Sequence, residues 1–145
     1  MIGLLQRVTQ ARVTVDNEVT GEIGRGLLVL VAVHRDDAER DIARLAERIL
    51  TYRVFPDAAG RMNLSLLDEN LGLLLVPQFT LAADTKKGTR ASFTRAADPA
   101  VGEAYFERLV ATCREQLDTV EIGRFGTNMQ VSLTNDGPVT FWLET

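Results

Sequence analysis

TNDGPVTFWLE, residues 134–144, decides how the rest of the chain is read, because a proline directly follows an Asp-Gly pair just where a strand should begin. Asp136-Gly137 alone is a hairpin signal, since a two-residue turn of the primed type needs positive φ at both central positions. On that reading residues 129–134 and 139–143 are the two arms. Pro138 disturbs the picture. It has no N–H to give to a ladder and its ring fixes φ, so it belongs at a strand's first residue, at an edge, or in a turn built around a cis bond.

Working outward, residues 120–145 hold two or three strands divided by Gly123, Gly126 and Gly137. At the other end, residues 3–15 alternate as a half-buried strand does, with Val8, Ala11, Val13 and Val15 apolar and Arg7, Arg12 and Thr14 between them. The phase slips at Gln10-Ala11, the mark of a bulge. Asp16-Asn17 turns the chain into Glu18–Ile23, and Gly24 and Gly26 punctuate before the apolar run LLVLVAV. These read as three consecutive antiparallel strands, the third central and buried on both faces. Asp36 and Glu39 have the spacing of a capping box, and Ile42, Leu45, Ala46, Ile49 and Leu50 recur at helical intervals, which predicts a helix over 37–53. A turn cluster at 56–60 precedes a buried strand over 71–81, LGLLLVPQFTL.

Asp98-Pro99 opens a second helix, with an acid at the cap and proline at the first helical position. Val101, Tyr105, Leu109 and Cys113 line one side of it, with Phe106, Val110 and Leu117 beside them. The order of elements predicts an α/β fold in which two main helices pack on a mainly antiparallel, curved, barrel-like sheet. Residues 1–145 read as one domain, with no repeat or linker.

A chain of 145 residues, 46% hydrophobic, is long enough for one core. The apolar runs at 27–33 and 73–76 are too short to span a bilayer, and the N-terminus alternates like a strand instead of showing the blocks of a signal peptide. The expectation is a cytoplasmic protein that does not engage a membrane. One cysteine and one histidine allow neither an internal disulfide nor a Cys/His zinc set. Cys113 reads as a packing residue and His34 as a strand-end residue, and the pairs Asp36-Asp37 and Asp68-Glu69 have capping explanations. GEIGRG lacks the spacing of a dinucleotide loop. No metal or cofactor signature remains.

The net charge of −4 argues against a broad nucleic-acid-binding face. Charge is nevertheless uneven: residues 84–95, DTKKGTRASFTR, carry Lys86, Lys87, Arg90 and Arg95 against a single Asp, a local net of +3. Two readings stand, a solvated loop or a landing place for a small anion or a nucleic-acid end.

LGLLLVPQFTLAADTKKGTRASF, followed farther on by FGTNMQVSLTNDGPVTF, resembles the D-aminoacyl-tRNA deacylase family, also called D-tyrosyl-tRNA deacylase. The resemblance runs over essentially the whole chain, including the opening LLQRVTQARVTV. Of the family's signatures, SQxT and NxGPVT, the second is matched in full by Asn135-Asp136-Gly137-Pro138-Val139-Thr140. The first is matched by Pro77-Gln78-Phe79-Thr80, with proline in place of serine. A related deacylase group acting on L-alanyl-tRNA also carries Pro-Gln there, but its Gly-Pro is trans and its second motif differs, so Phe79 and NDGPVT side with the D-specific family.

The resemblance implies hydrolysis of the D-aminoacyl-tRNA ester, and of glycyl-tRNA to some extent, without metal or other cofactor. It implies a homodimer in which a cis Gly137-Pro138 pair enters the partner's site as the chirality filter. Gln78, Phe79 and Thr80 would carry catalysis, the backbone N–H groups near Phe79 and Thr80 holding the oxyanion while the substrate's 2′-hydroxyl helps activate water. Thr80 is preferred as an orienting group over a nucleophile, because no partner base is visible. Phe125 and Met129 wall the terminal adenosine or belong to the strand core. Arg7 would steady the Gly-Pro loop through backbone carbonyls. Pro77 and Asn135 border the substrate, and Lys86, Lys87 and Arg90 would meet tRNA phosphates. Two other classes stay open: a non-catalytic tRNA-end or nucleic-acid-binding module, and a metal-dependent hydrolase, which would need clustered carboxylates.

Overall fold

A computed structural model describes residues 1–145. In chain order the elements are β1 (Ile2–Val15), β2 (Glu18–Ile23), β3 (Gly26–Ala32), α1 (Glu39–Thr51), β4 (Phe55–Pro56), β5 (Met62–Leu64), α2 (Leu66–Glu69), β6 (Gly72–Pro77), α3 (Pro99–Arg114), β7 (Val120–Ile122) and β8 (Gln130–Glu144), with a single 3₁₀ turn, Phe79–Ala82, after β6.

The alternation read in the first residues produces β1, which turns Leu5, Val8, Ala11 and Val13 inward. One edge of β1 carries two antiparallel strands end to end, β3 against Ile2–Val8 and β2 against Ala11–Val15. Its other edge carries β8 along nearly its whole length. Thus β2 and β3 are not neighbours as consecutive strands usually are; both take β1 as their partner. β6 then joins β3, and β7 joins β6, both in parallel. Parallel neighbours need long crossovers, and those contain α1 and α3. The sheet is therefore mixed, antiparallel around β1 and parallel beyond β3. It curls until β2 approaches β7: a Cβ on Gly21 would lie 2.7 Å from the Ile122 carbonyl oxygen, so only glycine fits at this closing seam.

β3 and β6 are covered on both faces, which their unbroken apolar runs require. Leu27, Val29, Leu73 and Leu75 face α1 and α3, meeting Leu45 and Ile49 of the first and Phe106, Leu109 and Cys113 of the second in one large core. The alternate residues Leu28, Leu74 and Val76 join Val8, Val13 and Ile23 in a smaller cluster inside the curl.

Several local details differ from the sequence reading. α1 starts at Glu39 because Asp37 is engaged elsewhere, accepting the His34 N–H at 2.6 Å; Asp41 takes over the reciprocal capping bond, accepting the Ala38 N–H at 2.8 Å. α3 opens on Asp98-Pro99 as the sequence predicts, yet Val101 is 43% exposed and the inward face is Gly102, Phe106, Leu109, Val110 and Cys113. The strand over 71–81 stops at Pro77, and residues 55–69 fold into the β4–β5 pair and α2. α2 is opened by Ser65 and Asp68, which bond reciprocally as a capping box.

The hairpin around Asp136-Gly137 is absent. β8 is one strand of 15 residues, whose partners on β1 jump from Gln6↔Thr140 to Val8↔Asn135. Arg7 alone lies opposite residues 136–139, so this stretch is a bulged loop on an edge strand. Both arms pair with the long β1 instead of with each other, and the Gly137-Pro138 bond is cis. No helix is long and apolar enough to cross a membrane.

Candidate active site

β6 ends at Pro77, where the parallel ladder with β3 also ends. The Gln78 N–H makes the last bond to it, donating to the Val31 carbonyl at 2.7 Å, and the chain then drops into the 3₁₀ turn. A cavity of about 580 Å³ opens at this point, a volume ordinary for a small-molecule site. Its floor is the C-terminal end of β3 with Val76, Pro77, Gln78 and Phe79, and its far wall is Phe125 and Met129 beside the first turn of α3. Parallel pairing of β6 with β7 carries these two distant segments together. Met129 is seated over Gly123, its sulfur accepting the Arg124 N–H at 3.3 Å.

The polar groups at the floor are modest. The Gln78 side-chain amide donates to the hydroxyl of Thr80, which is exposed and stands outside the cavity lining, and neither an imidazole nor a carboxylate bonds that hydroxyl. Phe79 and Thr80 head the 3₁₀ turn, so their N–H groups have no acceptor within it; Leu81 is the first to close back, onto Gln78 at 3.1 Å. No three His, Cys, Asp or Glu side chains converge anywhere in the chain, so the carboxylate cluster that a metal-dependent hydrolase needs is not assembled.

The bulged loop of β8 is a second, separate feature, held from both sides. Arg7, whose side chain is only 13% exposed, donates Nε–H to the Asp136 carbonyl at 3.0 Å and Nη1–H to the Val54 carbonyl at 2.6 Å. Asn135 clasps the loop from within: its Oδ1 accepts the Val139 N–H at 2.9 Å and its Nδ2 donates to the Thr140 hydroxyl at 2.8 Å. Gly137 adopts φ +139°, open to glycine, and it and Pro138 are exposed. Neither residue lines the cavity.

A family model described as D-Tyr-tRNA(Tyr) deacylase matches residues 4–144. The chain belongs to that family. A D-aminoacyl-tRNA deacylase of Alkalilimnicola ehrlichii is 65% identical over 144 residues, covering 99% of this chain and 96% of the relative. One of Escherichia coli is 56% identical, with 99% of each chain covered. Among solved structures, that of a c-Myc DNA Unwinding Element Binding Protein superposes with a TM-score of 0.96 at 35% identity, covering 100% of this chain and 99% of that one. A probable eukaryotic D-amino acid tRNA deacylase has the same fold, with a TM-score of 0.86 at 20% identity over 98% of this chain and 97% of that one. Membership makes the protein a hydrolase of the aminoacyl-tRNA ester, and tRNA its partner.

The remaining positions singled out in the sequence lie outside the cavity lining. Lys86, Lys87 and Arg90 are exposed on a loop whose stem is the Asp84–Ser92 bridge, and none of them is in an ion pair. Phe93, which no sequence pattern singles out, packs its ring against Phe79 with centroids 5.1 Å apart. Its one signal in the sequence is a lone aromatic in a polar run. Cys113 is fully buried on the inner face of α3, and that burial pushes its thiol up to about 12, the behaviour of a packing residue. His34 is half-buried and lies outside the cavity lining.

Proposed function

We propose that the chain cleaves D-aminoacyl-tRNA in the cavity beside Phe79 and rejects the L-ester with the Gly137-Pro138 loop of a second copy, in the cytoplasm where aminoacyl-tRNA is made. The observation that carries this reading is the separation of the loop from the cavity of its own chain. Arg7, which holds the loop, is level with Leu27 on β3, whereas the cavity takes Val31. At about 3.3 Å per residue that offset is about 13 Å along the strand. The loop also lies on β8, two strands from β3, a further distance of about 10 Å across the sheet. A loop braced by both Arg7 and Asn135 but remote from its own cavity is suited to serve another copy. β8 is an exposed edge with Trp142 49% open, which gives that copy a place to dock.

Rigid backbone carbonyls set where an L side chain would project discriminate by collision, while a D side chain points elsewhere. Glycyl esters carry no side chain and pass the filter in part. The ester to the terminal ribose is already activated, so positioning and charge stabilisation suffice. In this reading Phe125 and Met129 hold the adenine ring, and the Phe79 and Thr80 N–H groups receive the charge that develops on the carbonyl oxygen. The substrate's 2′-hydroxyl helps polarise the attacking water; the ester C–O bond breaks and the water's proton ends on the departing ribose oxygen. Thr80, engaged by Gln78, orients the substrate, and Pro77 borders it. Lys86, Lys87 and Arg90 contact phosphates. No step uses a metal.

The test is hydrolysis of D-tyrosyl-, L-tyrosyl- and glycyl-tRNA by the purified protein with chelator present. Rapid loss of the D-ester, slower loss of the glycyl ester and survival of the L-ester are expected. A mixing experiment adds the dimer: a loop-defective copy and a cavity-defective copy, each inactive alone, regain activity together. The 35%-identical relative, named as a DNA Unwinding Element Binding Protein, favours a second, added role in nucleic-acid binding, which predicts RNA or DNA binding indifferent to the attached amino acid beside the hydrolysis.

A further inference from the structure

Phe79 and Phe93 are large apolar side chains left 58% and 43% exposed at the cavity mouth, each packed against the other with rings tilted by 52°. Phe79 has a face on the cavity; Phe93 stands outside it. The position of Phe93 is fixed by its backbone. Ala96 closes a turn onto the Phe93 carbonyl at 3.1 Å, Arg35 bonds the Arg95 carbonyl at 3.0 Å, and Ala97 bonds the Val33 carbonyl at 2.9 Å, which ties the segment to the end of β3. Immediately before Phe93 comes the Asp84–Ser92 stem that presents Lys86, Lys87 and Arg90, and Arg95 follows it; all four cations are exposed and outside any ion pair.

An exposed aromatic step flanked by unpaired cations is the arrangement that binds single-stranded nucleic acid, with rings stacking the bases and cations following the phosphates. We infer that the Phe79–Phe93 step is a stacking site for the nucleotide preceding the terminal adenosine of the substrate's single-stranded 3′ end. This rests on the function proposed above, which puts the terminal adenosine against Phe125 and Met129. The strand then leaves the cavity over Phe93 toward the lysines of the 84–92 loop. The local charge of +3 in a chain of net −4 directs the RNA to this side. Phe93 is a positioning residue: it lengthens the recognised stretch of RNA without touching the ester.

The experiment separates this inference from the deacylase reading. A short RNA ending in the tRNA 3′ sequence, with 2-aminopurine in place of the base before the terminal adenosine, is titrated with the protein; stacking quenches the fluorophore whether or not any ester is cleaved. Quenching is expected with the wild type and with Phe93→Tyr, and loss of quenching with about tenfold weaker binding in Phe93→Ala. In parallel, KM for D-tyrosyl-tRNA rises about tenfold in Phe93→Ala at unchanged kcat, while cleavage of D-tyrosyl-adenosine, which lacks the preceding nucleotides, is unaltered. An unquenched fluorophore in a wild type that hydrolyses the D-ester overturns the stacking site and leaves the enzyme standing. Equal losses on the long and short substrates assign Phe93 a structural role and also overturn it. Quenching without hydrolysis upholds the RNA site and refutes the deacylase mechanism instead.

Discussion

Gly137→Ala tests the loop most directly, because the structure gives the collision atom by atom. A Cβ built on Gly137 lies 2.7 Å from Val139 Cγ2, 3.0 Å from the Val139 nitrogen and 3.3 Å from Arg7 Nη2. The side-chain contact could be relieved only by turning Val139, whose β-branch makes it stiff. The contact with the Val139 nitrogen cannot be relieved without moving the N–H that Asn135 Oδ1 accepts at 2.9 Å. Alanine at φ +139° adds backbone strain of about 1–3 kcal/mol, and a lost hydrogen bond about 1 kcal/mol more. The sum, roughly 2–4 kcal/mol, falls on an exposed loop, so most of it is released by local rearrangement and the urea midpoint changes little. The rearranged loop no longer presents its carbonyls as before, and kcat/KM on D-tyrosyl-tRNA drops at least about tenfold, the equivalent of about 1.4 kcal/mol. Unfolding curves and single-turnover hydrolysis on the same preparation measure both effects. A folded variant that keeps D-ester activity within about twofold of wild type would falsify the assignment of this loop to the site.

Asn135→Ala removes both clasp bonds and lowers D-ester cleavage about tenfold, whereas Thr140→Val, which removes one, has the smaller effect. Arg7→Met keeps the stem but strands the carbonyls of Val54 and Asp136, and thermal melts read a destabilisation of about 2–4 kcal/mol. A thiol reagent at pH 8 leaves Cys113 unlabelled in the native protein and labels it with the kinetics of unfolding, because burial holds the thiol protonated up to about 12. Asp41 and Asp68 are held below the ordinary carboxylate value of 3.8, chiefly by the N–H groups of Ala38 and Ser65. Since the folded pKa is the lower one, their stabilisation is complete above 3.8 and disappears as pH falls through the depressed values; Asp41→Asn with Asp68→Asn gives a flatter acid-denaturation curve.

What the sequence made legible is what short-range pattern encodes. The alternation of β1, the apolar stripe of α1, the Asp98-Pro99 start of α3 and the buried runs of β3 and β6 each need only a window of a dozen residues, and all are present. The errors sit where a distant partner overrides a local signal. Asp136-Gly137 carries a hairpin cue, but β1 offers both arms a longer partner, so the cue yields a bulge. Asp36 and Glu39 carry capping spacing, but Asp37 is drawn to the His34 N–H and the cap moves to Ala38 and Asp41. Of the candidate site, Pro77, Gln78 and Phe79 are contiguous and visible as a motif, while their meeting with Phe125 and Met129 depends on β6 pairing with β7. Phe93 has no period at all, and only its exposure against Phe79 marks it.

Pro77, the one departure from the family's motif, is explained by register. In the β3–β6 ladder Pro77 stands opposite Val31, and Val31 receives its bond from Gln78. In a parallel ladder successive residues bond alternately to either side, so the position of Pro77 directs its own N–H away from β3. On that other side β7 pairs only as far as Leu75↔Ile122, and the Gly123 N–H makes the last contact, to the Leu75 carbonyl at 2.8 Å. The next bond in that series would run from an N–H at 77 to the Gly123 carbonyl, so a proline there forgoes only the last bond of the β6–β7 ladder and leaves the β3–β6 ladder intact. Its ring also has room: even a Cβ built on Gly123 would stand at an ordinary contact distance of 3.4 Å from Pro77 Cδ. The substitution removes the family serine's hydroxyl from the floor of the cavity while leaving the Gln78 anchor and the N–H groups of Phe79 and Thr80 where β6 puts them.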